Sequence, residues 1–257
     1  MSRIKNAFEN NNKAFIAFLT AGDPTIEKTE EFIYKLIEGG ADLIEIGIPF
    51  SDPIAEGPVI QSANVRSLSA GTRIKNVFEL VEKVRKNTQI PLVFLTYMNT
   101  VFKYGTAEFF KKCSETGIDG IIIPDLPFEE KGEIKESANK YGVDIISLIA
   151  PTSESRIKLI AEESEGFVYV VSSMGVTGMR SEIKTDLESI TEAVRKYTDT
   201  SIAIGFGINS PEQAEKYSKI ADGVIVGSAI VKIIEKNGAD SGEYLKEYAH
   251  KMKSAMM

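Results

Sequence analysis

Short apolar segments alternate with longer amphipathic ones along the chain. The short segments are rich in Val, Ile and Phe, and several are apolar almost throughout. Continuous apolar runs of this length are typical of strands buried on both faces, as in a parallel sheet covered by helices. Eight strands are predicted, at residues 14–19, 42–48, 91–96, 120–123, 144–149, 167–172, 201–204 and 223–226.

The longer segments repeat their apolar residues at the helical period. In Ile26–Glu38, the residues Phe32, Ile33 and Leu36 share one stripe, and a pair of glycines then ends the helix. Ser210 and the Pro-Glu-Gln that follows it predict a helix start with a capping box. Further helices are predicted at residues 74–86, 107–115, 130–141, 154–163, 186–197, 227–235 and 241–256.

This alternation favours a single (β/α)8 TIM barrel, because eight strand–helix units in 257 residues take about 32 residues each. We expect one domain over residues 1–257, with an additional N-terminal helix and a short phosphate-binding helix after strand eight. An open doubly wound sheet is the alternative, but the sequence lacks the dinucleotide glycine fingerprint of such folds. Two connections, residues 49–70 and 173–185, are longer than needed and belong to the C-terminal face, where barrel enzymes keep their sites.

The composition of the chain argues against several classes of protein and of catalytic site. Thirty basic against 37 acidic residues give a net charge of -7, which argues against binding to nucleic acid or anionic membranes. No apolar run approaches the ~18 residues of a membrane span, and no signal peptide is predicted. The single cysteine, Cys113, excludes an internal disulfide and suits the cytoplasm. The single histidine, His250, argues against a Ser-His-Asp triad and a His-rich metal site, so no metal is expected.

Glycine-containing segments follow strands six, seven and eight, at residues 174–178, 205–207 and 227–228. Glycine lets backbone N–H groups approach an anion, and a helix N-terminus adds unpaired donors and partial positive charge. The last segment opens a short helix, where barrels often bind phosphate. The sequence therefore predicts a phosphate site, while the alternative is that these glycines serve only turns and caps.

Proton transfer in this chain must rest on carboxylate, tyrosine or lysine. Strand alternation singles out Glu45, because the isoleucines on either side of it face the helices and Glu45 then faces the barrel interior. Burial there would raise its pKa to a value useful for acid/base catalysis. A structural ion pair or a loop cap is the alternative. The other carboxylates at or beyond the C-terminal strand ends are Asp23, Asp52, Glu56 and Asp125.

Three further residues have plain structural interpretations. Asp23 and Asp125 lie beside prolines and are interpreted as turn or cap residues. Tyr169 alternates with apolar residues in strand six, so it is either a core aromatic or a group that faces substrate.

Five segments then occur in an order that covers nearly the whole chain: FLTAGDP at residues 18–24, EIGIPFSDP at 45–53, GVTG at 175–178, GFGI at 205–208 and GSAIV at 227–231. Together they resemble the tryptophan synthase α-subunit family, to which the second segment is highly specific. The resemblance implies a carbon–carbon lyase of tryptophan biosynthesis. Its retro-aldol reaction cleaves indole-3-glycerol phosphate into indole and glyceraldehyde 3-phosphate, with no metal or organic cofactor in this chain.

The resemblance also assigns roles to single residues. It implies that Glu45 is the general acid/base, which protonates indole C3 and handles the glycerol hydroxyl proton, and that Tyr169 helps to order the active site. It implies substrate contacts at Phe18, Leu95, Thr177, Gly178, Gly207, Gly227 and Ser228.

A partner is implied as well: a β subunit that carries pyridoxal phosphate, in an α2β2 assembly that passes indole through an internal tunnel. Apolar loop segments at residues 49–50, 53–54, 101–102 and 126–128 would supply the interface, since a monomer rarely exposes so much contiguous apolar surface. These residues could instead pack on one another. The expected interface residues are Pro49, Phe50, Asp52, Pro53, Asn99 and Pro127.

One catalytic position departs from the family. The family loop reads Ala-Asp-Gly-Pro, and its aspartate interacts with the indole N–H, whereas this chain has Glu56 at that place. The extra methylene adds about 1.5 Å of reach, and a displacement of about 1 Å can cost on the order of 100-fold in rate. The loop could compensate, activity could be low, or Glu56 could be unused; we expect compensation.

Other functions stay open at this point. The chain could be a stand-alone lyase that releases free indole, or a weakened barrel that mainly activates a β subunit. Another phosphate-binding barrel enzyme, such as an isomerase or aldolase, typically uses a lysine or histidine that these strand ends lack. We expect residues 173–185 to close over a bound phosphate ligand.

Overall fold

The computed structural model describes residues 3–9, 13–151, 153–171, 186–205 and 207–257. Within these ranges nine strands form one parallel sheet: β1 (Ala14–Thr20), β2 (Leu43–Gly47), β3 (Leu92–Leu95), β4 (Gly120–Ile122), β5 (Asp144–Ile145), β6 (Ser147–Ile149), β7 (Val168–Val171), β8 (Ile202–Gly205) and β9 (Gly223–Val226).

The sheet closes on itself as the predicted TIM barrel. Its strand order is β5-β4-β3-β2-β1-β9-β8-β7-β6, so β5 and β6 lie at the two edges. Only Ile146 separates these two strands in sequence, and its N–H donates to the carbonyl of Ile121 at 2.9 Å. The predicted fifth strand is therefore one strand with a one-residue interruption, and it joins the two edges of the sheet.

Helices follow the strands around the outside of the barrel. The described ranges contain α1 (Arg3–Asn6), α2 (Ile26–Glu38), α3 (Pro58–Ser69), α4 (Ile74–Asn87), α5 (Met98–Tyr104), α6 (Thr106–Thr116), α7 (Gly132–Tyr141), α8 (Glu154–Glu162), α9 (Leu187–Arg195), α10 (Pro211–Ser218), α11 (Ser228–Asn237) and α12 (Gly242–Ala255). None of them is long and apolar enough to cross a membrane.

Two of these helices were not predicted. The connection at residues 49–70, interpreted as a long loop, contains α3, and α5 follows β3 directly. The buried face of α3 mixes Ile60 and Ala63 with Asn64 and Ser67, so it presents no continuous apolar stripe to the sequence pattern. The other long connection, residues 173–185, lies outside the described residues.

The core has the two layers that strand alternation predicts. Leu43 belongs to a cluster inside the barrel, whereas Ile44, Ile46 and Ile48 belong to the cluster between strands and helices. The N-terminal helix α1 contributes Ile4 to the interior cluster, as expected of an element that covers one end of the barrel. Alternation therefore fixes which side chains of β2 face the interior.

Local contacts confirm two predictions and correct a third. Asp23 lies in a turn as predicted, since its N–H donates to the Thr20 carbonyl at 3.3 Å, and both of its carboxylate oxygens accept hydrogen bonds from Arg66 of α3, each at 2.8 Å. Ser210 caps α10, but Gln213 Oε1 accepts from the N–H of Asn209, one residue before the cap, and not from Ser210 as a capping box requires. Asp125 is a cap as predicted, since its Oδ1 accepts from the first N–H of α5 at 2.9 Å.

Candidate active site

Glu45 lies in the middle of β2 and faces the barrel interior. Its neighbours in the sheet are Phe18 on β1 and Val93 on β3. The side chain is buried, and its Oε2 has no hydrogen-bond partner among the described residues. Burial, with a smaller contribution from the negative charge of Glu56, raises the pKa of Glu45 to about 8. The predicted orientation and direction of the pKa shift are confirmed.

Tyr169 lines the same cavity from β7, across the barrel. It packs in the interior cluster beside Phe167, with ring centroids 6.4 Å apart. Burial raises the pKa of its hydroxyl well above the ordinary value, and the charge of Glu45 adds to the effect. Tyr169 is therefore a core aromatic that is also part of the cavity wall, and its contact with substrate stays a prediction.

Glu56 enters the cavity from the loop before α3. Only 6% of the residue is exposed. Its Oε2 accepts a hydrogen bond from Asn64 Nδ2 at 2.6 Å, and its backbone carbonyl accepts from Gln61 Nε2 at 2.7 Å. Burial raises the pKa of Glu56 to about 7, although hydrogen bonds from Asn64 and Tyr97 lower it in part. Two carboxyl groups with raised pKa values therefore share one cavity.

The rest of the cavity wall is apolar on one side and backbone-rich on the other. Its described lining residues contain no lysine or arginine. Ser228 is the first residue of α11, so the N-terminus of that helix faces the cavity, where an anion would meet unpaired N–H groups. The lining residues are Phe18, Glu45, Glu56, Ile60, Leu95, Tyr169, Gly207, Ile208, Ile225, Gly227 and Ser228.

Comparison with known proteins assigns the family. The model of the family described as tryptophan synthase alpha chain matches residues 4–257. The chain belongs to this family. The curated alpha chain of Lacticaseibacillus casei is 48% identical over 256 residues, covering 100% of this chain and 96% of the relative. That of Thermoanaerobacter sp. (strain X514) is 51% identical over 251 residues, covering 96% and 95%.

Solved structures of the family have the same fold. The alpha chain of Legionella pneumophila subsp. pneumophila superposes with a TM-score of 0.90 at 34% identity, covering 100% of this chain and 97% of that one. A chain of the tryptophan synthase complex from Pyrococcus furiosus superposes with a TM-score of 0.86 at 35% identity, covering 93% and 97%.

The fold brings most of the site residues predicted from the family together. The catalytic candidates Glu45, Glu56 and Tyr169 share the cavity wall with the predicted substrate contacts Phe18, Leu95, Gly207, Gly227 and Ser228. Thr177 and Gly178 lie outside the described residues.

The predicted partner face is less apolar than expected. Val101 is buried, and Phe50 stacks on Tyr97 with ring centroids 5.0 Å apart, so part of this face packs on itself. Ile54 and Phe102 remain 72% and 55% exposed. Of the predicted interface residues, Asp52, Asn99 and Pro127 are exposed, and Pro49, Phe50 and Pro53 are partly buried.

Four residues that shape the site were not singled out from the sequence for their roles. Asn64 and Tyr97 contact Glu56, and nothing in their local pattern indicates this. A Cβ on Gly47 would lie 2.8 Å from the Phe18 ring, and a Cβ on Gly205 would lie 2.4 Å from the Tyr169 hydroxyl. Glycine at the C-terminal end of a strand is the one signal that could have identified the last two.

The single cysteine and the single histidine are not among the residues that line this cavity. Cys113 is buried in α6, where burial raises the pKa of its thiol, and His250 is exposed on α12. Within the described ranges, no group of three or more His, Cys, Asp or Glu residues is arranged to hold a metal ion.

Proposed function

We propose that this chain cleaves indole-3-glycerol phosphate to indole and glyceraldehyde 3-phosphate, with Glu45 as the general acid and base. The observation that carries the assignment is the buried carboxyl of Glu45, which lines one cavity with the N-terminus of α11. The cavity offers an acid, an apolar wall and an anion site, which are the three features that this substrate requires.

The reaction needs one proton delivered and one removed. Glu45 is mostly protonated at neutral pH, because its pKa is about 8. It delivers its proton to indole C3, which places positive charge on the ring nitrogen. The resulting carboxylate then removes the proton of the hydroxyl on the adjacent side-chain carbon. The carbon–carbon bond breaks, the aldehyde forms, the electron pair restores neutral indole, and Glu45 is protonated again.

Glu56 stabilises the intermediate charge in this proposal. Its carboxylate accepts the indole N–H while the ring is positively charged, an interaction that is strong in a cavity shielded from water. A raised pKa of about 7 leaves roughly half of Glu56 ionised at neutral pH. The two carboxyl groups therefore divide the work: Glu45 starts mostly protonated, and the ionised form of Glu56 accepts the indole N–H.

The phosphate group binds at the opposite side, at Gly207, Gly227 and Ser228. The first N–H groups of α11 and the Ser228 hydroxyl supply donors, and the helix dipole favours the negative charge. Phe18 and Leu95 pack against the indole ring, and Tyr169 orders the wall between ring and phosphate. The family resemblance assigns Thr177 and Gly178 to phosphate binding as well.

We also propose that the chain works as the α subunit of a tryptophan synthase in the cytoplasm, with pyridoxal phosphate confined to the β subunit. A solved relative from Pyrococcus furiosus is described as an a2b2 complex with mutual activation. The interface would use Pro49, Phe50, Asp52, Pro53, Asn99 and Pro127. We assign residues 1–257 to one domain, since β1 and β9 pair although they come from distant parts of the chain.

A mixing experiment tests the proposal. The purified chain should form indole from indole-3-glycerol phosphate, and a β subunit should raise that rate. Indole formation that β subunit leaves unchanged would indicate a stand-alone lyase. No indole formation with or without β subunit would contradict the proposed activity.

A further inference from the structure

Helix α3 holds Glu56 at two points. Gln61, in the first turn, donates to the backbone carbonyl of Glu56, and Asn64, about one turn further, donates to the carboxylate. Asn64 is only 4% exposed, so its amide meets the carboxylate out of contact with bulk water. A hydrogen bond to a charged acceptor is strong under such conditions.

The bond restricts a side chain that would otherwise have more freedom. Glutamate has one more rotatable bond than the aspartate of the family loop, and in this cavity the extra bond could carry its carboxylate away from the indole nitrogen. One oxygen of Glu56 is bound to Asn64, and the Tyr97 hydroxyl also donates to the carboxylate, so the side chain has fewer orientations available. The backbone bond from Gln61 fixes the base of the same side chain.

We propose that Asn64 is the positioning residue of Glu56: its amide orients the carboxylate toward the indole nitrogen and keeps that carboxylate ionised. This inference rests on the proposed function, because it assumes that Glu56 accepts the indole N–H. Asn64 itself is assigned no contact with substrate.

The hydrogen bond from the Asn64 amide favours the ionised form of Glu56, and the other groups around Glu56 make this contribution important. Among the described residues, Glu45 approaches from β2, and the Tyr97 hydroxyl approaches from the turn before α5, where Asp125 also acts on Tyr97. Glu45 is acidic, and in the described ranges no cation is among the groups that affect the pKa of Glu56. Within these ranges, neutral donors oppose the cost of burying its charge, and Asn64 is the donor at 2.6 Å.

Two substitutions at Asn64 and one control on the same helix test the inference. Asn64→Leu removes the donor, and Asn64→Asp keeps the shape but places a second carboxyl beside Glu56. Ser67→Ala is the matched control, because Ser67 is another buried polar residue of α3 whose hydroxyl donates to the Ala21 carbonyl at 2.6 Å, away from Glu56.

Steady-state indole formation should separate orientation from binding. We expect Asn64→Leu to lower kcat by about 10-fold or more with KM changed less than about 3-fold, since the phosphate site is intact. The acid limb of the kcat–pH profile should move to higher pH in the order wild type, Asn64→Leu, Asn64→Asp, because each change disfavours the ionised form of Glu56. Ser67→Ala should keep the wild-type limb. An unmoved limb in both Asn64 variants, with wild-type kcat, would overturn the inference.

A titration that does not depend on activity keeps the two proposals separate. The carboxyl carbon of Glu56 can be followed by NMR in glutamate-labelled protein and assigned by its loss in Glu56→Gln. The pKa of Glu56 should rise in Asn64→Leu and stay constant in Ser67→Ala. If the wild type forms no indole, the proposed function fails; if it forms indole but this pKa does not move, only the role of Asn64 fails.

Discussion

At the scale of single residues, the site depends on a buried carboxyl group whose hydrogen-bonding capacity the described part of the fold does not fully satisfy. Glu45 Oε2 is buried without a hydrogen-bond partner in the described part of the chain, and burial is the main cause of its raised pKa. An arrangement of this kind destabilises the folded protein once the group ionises. The same burial that makes Glu45 a suitable acid therefore makes stability depend on pH.

Glu45→Gln should reduce that pH dependence. The pKa of Glu45 is about 8 in the folded protein and 4.5 for an ordinary glutamate, so the folded state holds the proton more tightly. The stabilisation from this proton is complete below about pH 4.5 and is lost as pH rises to about 8. Urea unfolding of the wild type should show a steeper fall between about pH 5 and 8 than the variant.

The control for this measurement is Glu133→Gln, at an exposed glutamate of α7. Glu133→Gln should retain the wild-type slope, because it still contains Glu45 and Glu56, the two buried carboxyl groups with raised pKa values. Equal slopes in wild type and Glu45→Gln would show that the carboxyl is not buried as described.

Glu56→Asp tests whether the loop has adapted to the longer side chain. Because Asn64 holds the Glu56 carboxylate in place, we expect no large gain from restoring the family's shorter residue. Indole formation is the measurement, at saturating substrate. A rise of about 100-fold or more would show that the native carboxylate is misplaced.

The two carboxylates also show what the sequence could predict. The inward orientation of Glu45 follows from the two-residue period of a strand, which needs no knowledge of the neighbours. The hydrogen-bond partner of Glu56 depends on how α3 packs at the mouth of the barrel. The buried face of α3 mixes polar and apolar residues, so the sequence pattern did not predict even the helix itself. Family resemblance supplied a role for Glu56 but not the contact that holds it.

At the scale of secondary-structure elements, glycines at strand ends make room for the site. Gly205 ends β8, and β7 carries Tyr169 beside it. A Cβ at Gly205 would lie 2.4 Å from the Tyr169 hydroxyl and 2.6 Å from its ring carbons, so one strand or the tyrosine must shift. Overpacking of this kind typically costs about 1–3 kcal/mol.

Gly205→Ala should therefore lower both stability and activity. We expect a loss of about 1–3 kcal/mol in unfolding free energy and a fall in kcat of about 10-fold or more, since Tyr169 is displaced in the cavity wall. Gly132→Ala, at the first residue of α7 with no atom within 4 Å of the added Cβ, is the control and should be tolerated. A fully active and stable Gly205→Ala would contradict the described packing of Tyr169.

At the scale of the whole molecule, the barrel has one apolar cluster in its interior and another between the strands and the helices. The interior and outer clusters follow from apolar periodicity, which is why the fold was predictable strand by strand. The interruption at Ile146 was not predicted, because it depends on how the sheet closes into a barrel. The helix α5 was not predicted, because it is a short segment of mixed composition. The exposed apolar residues of the C-terminal face, Ile54 and Phe102, are not explained by packing within the core.

Phe102→Ser should weaken association with a β subunit. Phe102 is exposed on α5, and burying its ring in an interface would remove apolar area from water. We expect at least about a 10-fold higher Kd, measured by titration calorimetry. Leu159→Ser removes an exposed apolar side chain of α8 and is the control, with unchanged Kd. Equal affinities of both variants and the wild type would place the interface elsewhere.

The most direct test of the account is the rate of indole formation by Glu45→Gln, whose amide keeps the shape of the side chain but carries no transferable acidic proton. Wild type and variant are compared with saturating indole-3-glycerol phosphate, after circular dichroism has shown the same fold. We predict a fall in kcat of about 100-fold or more, as is typical for loss of a general acid. Cleavage at the wild-type rate by the variant would contradict the assignment of Glu45.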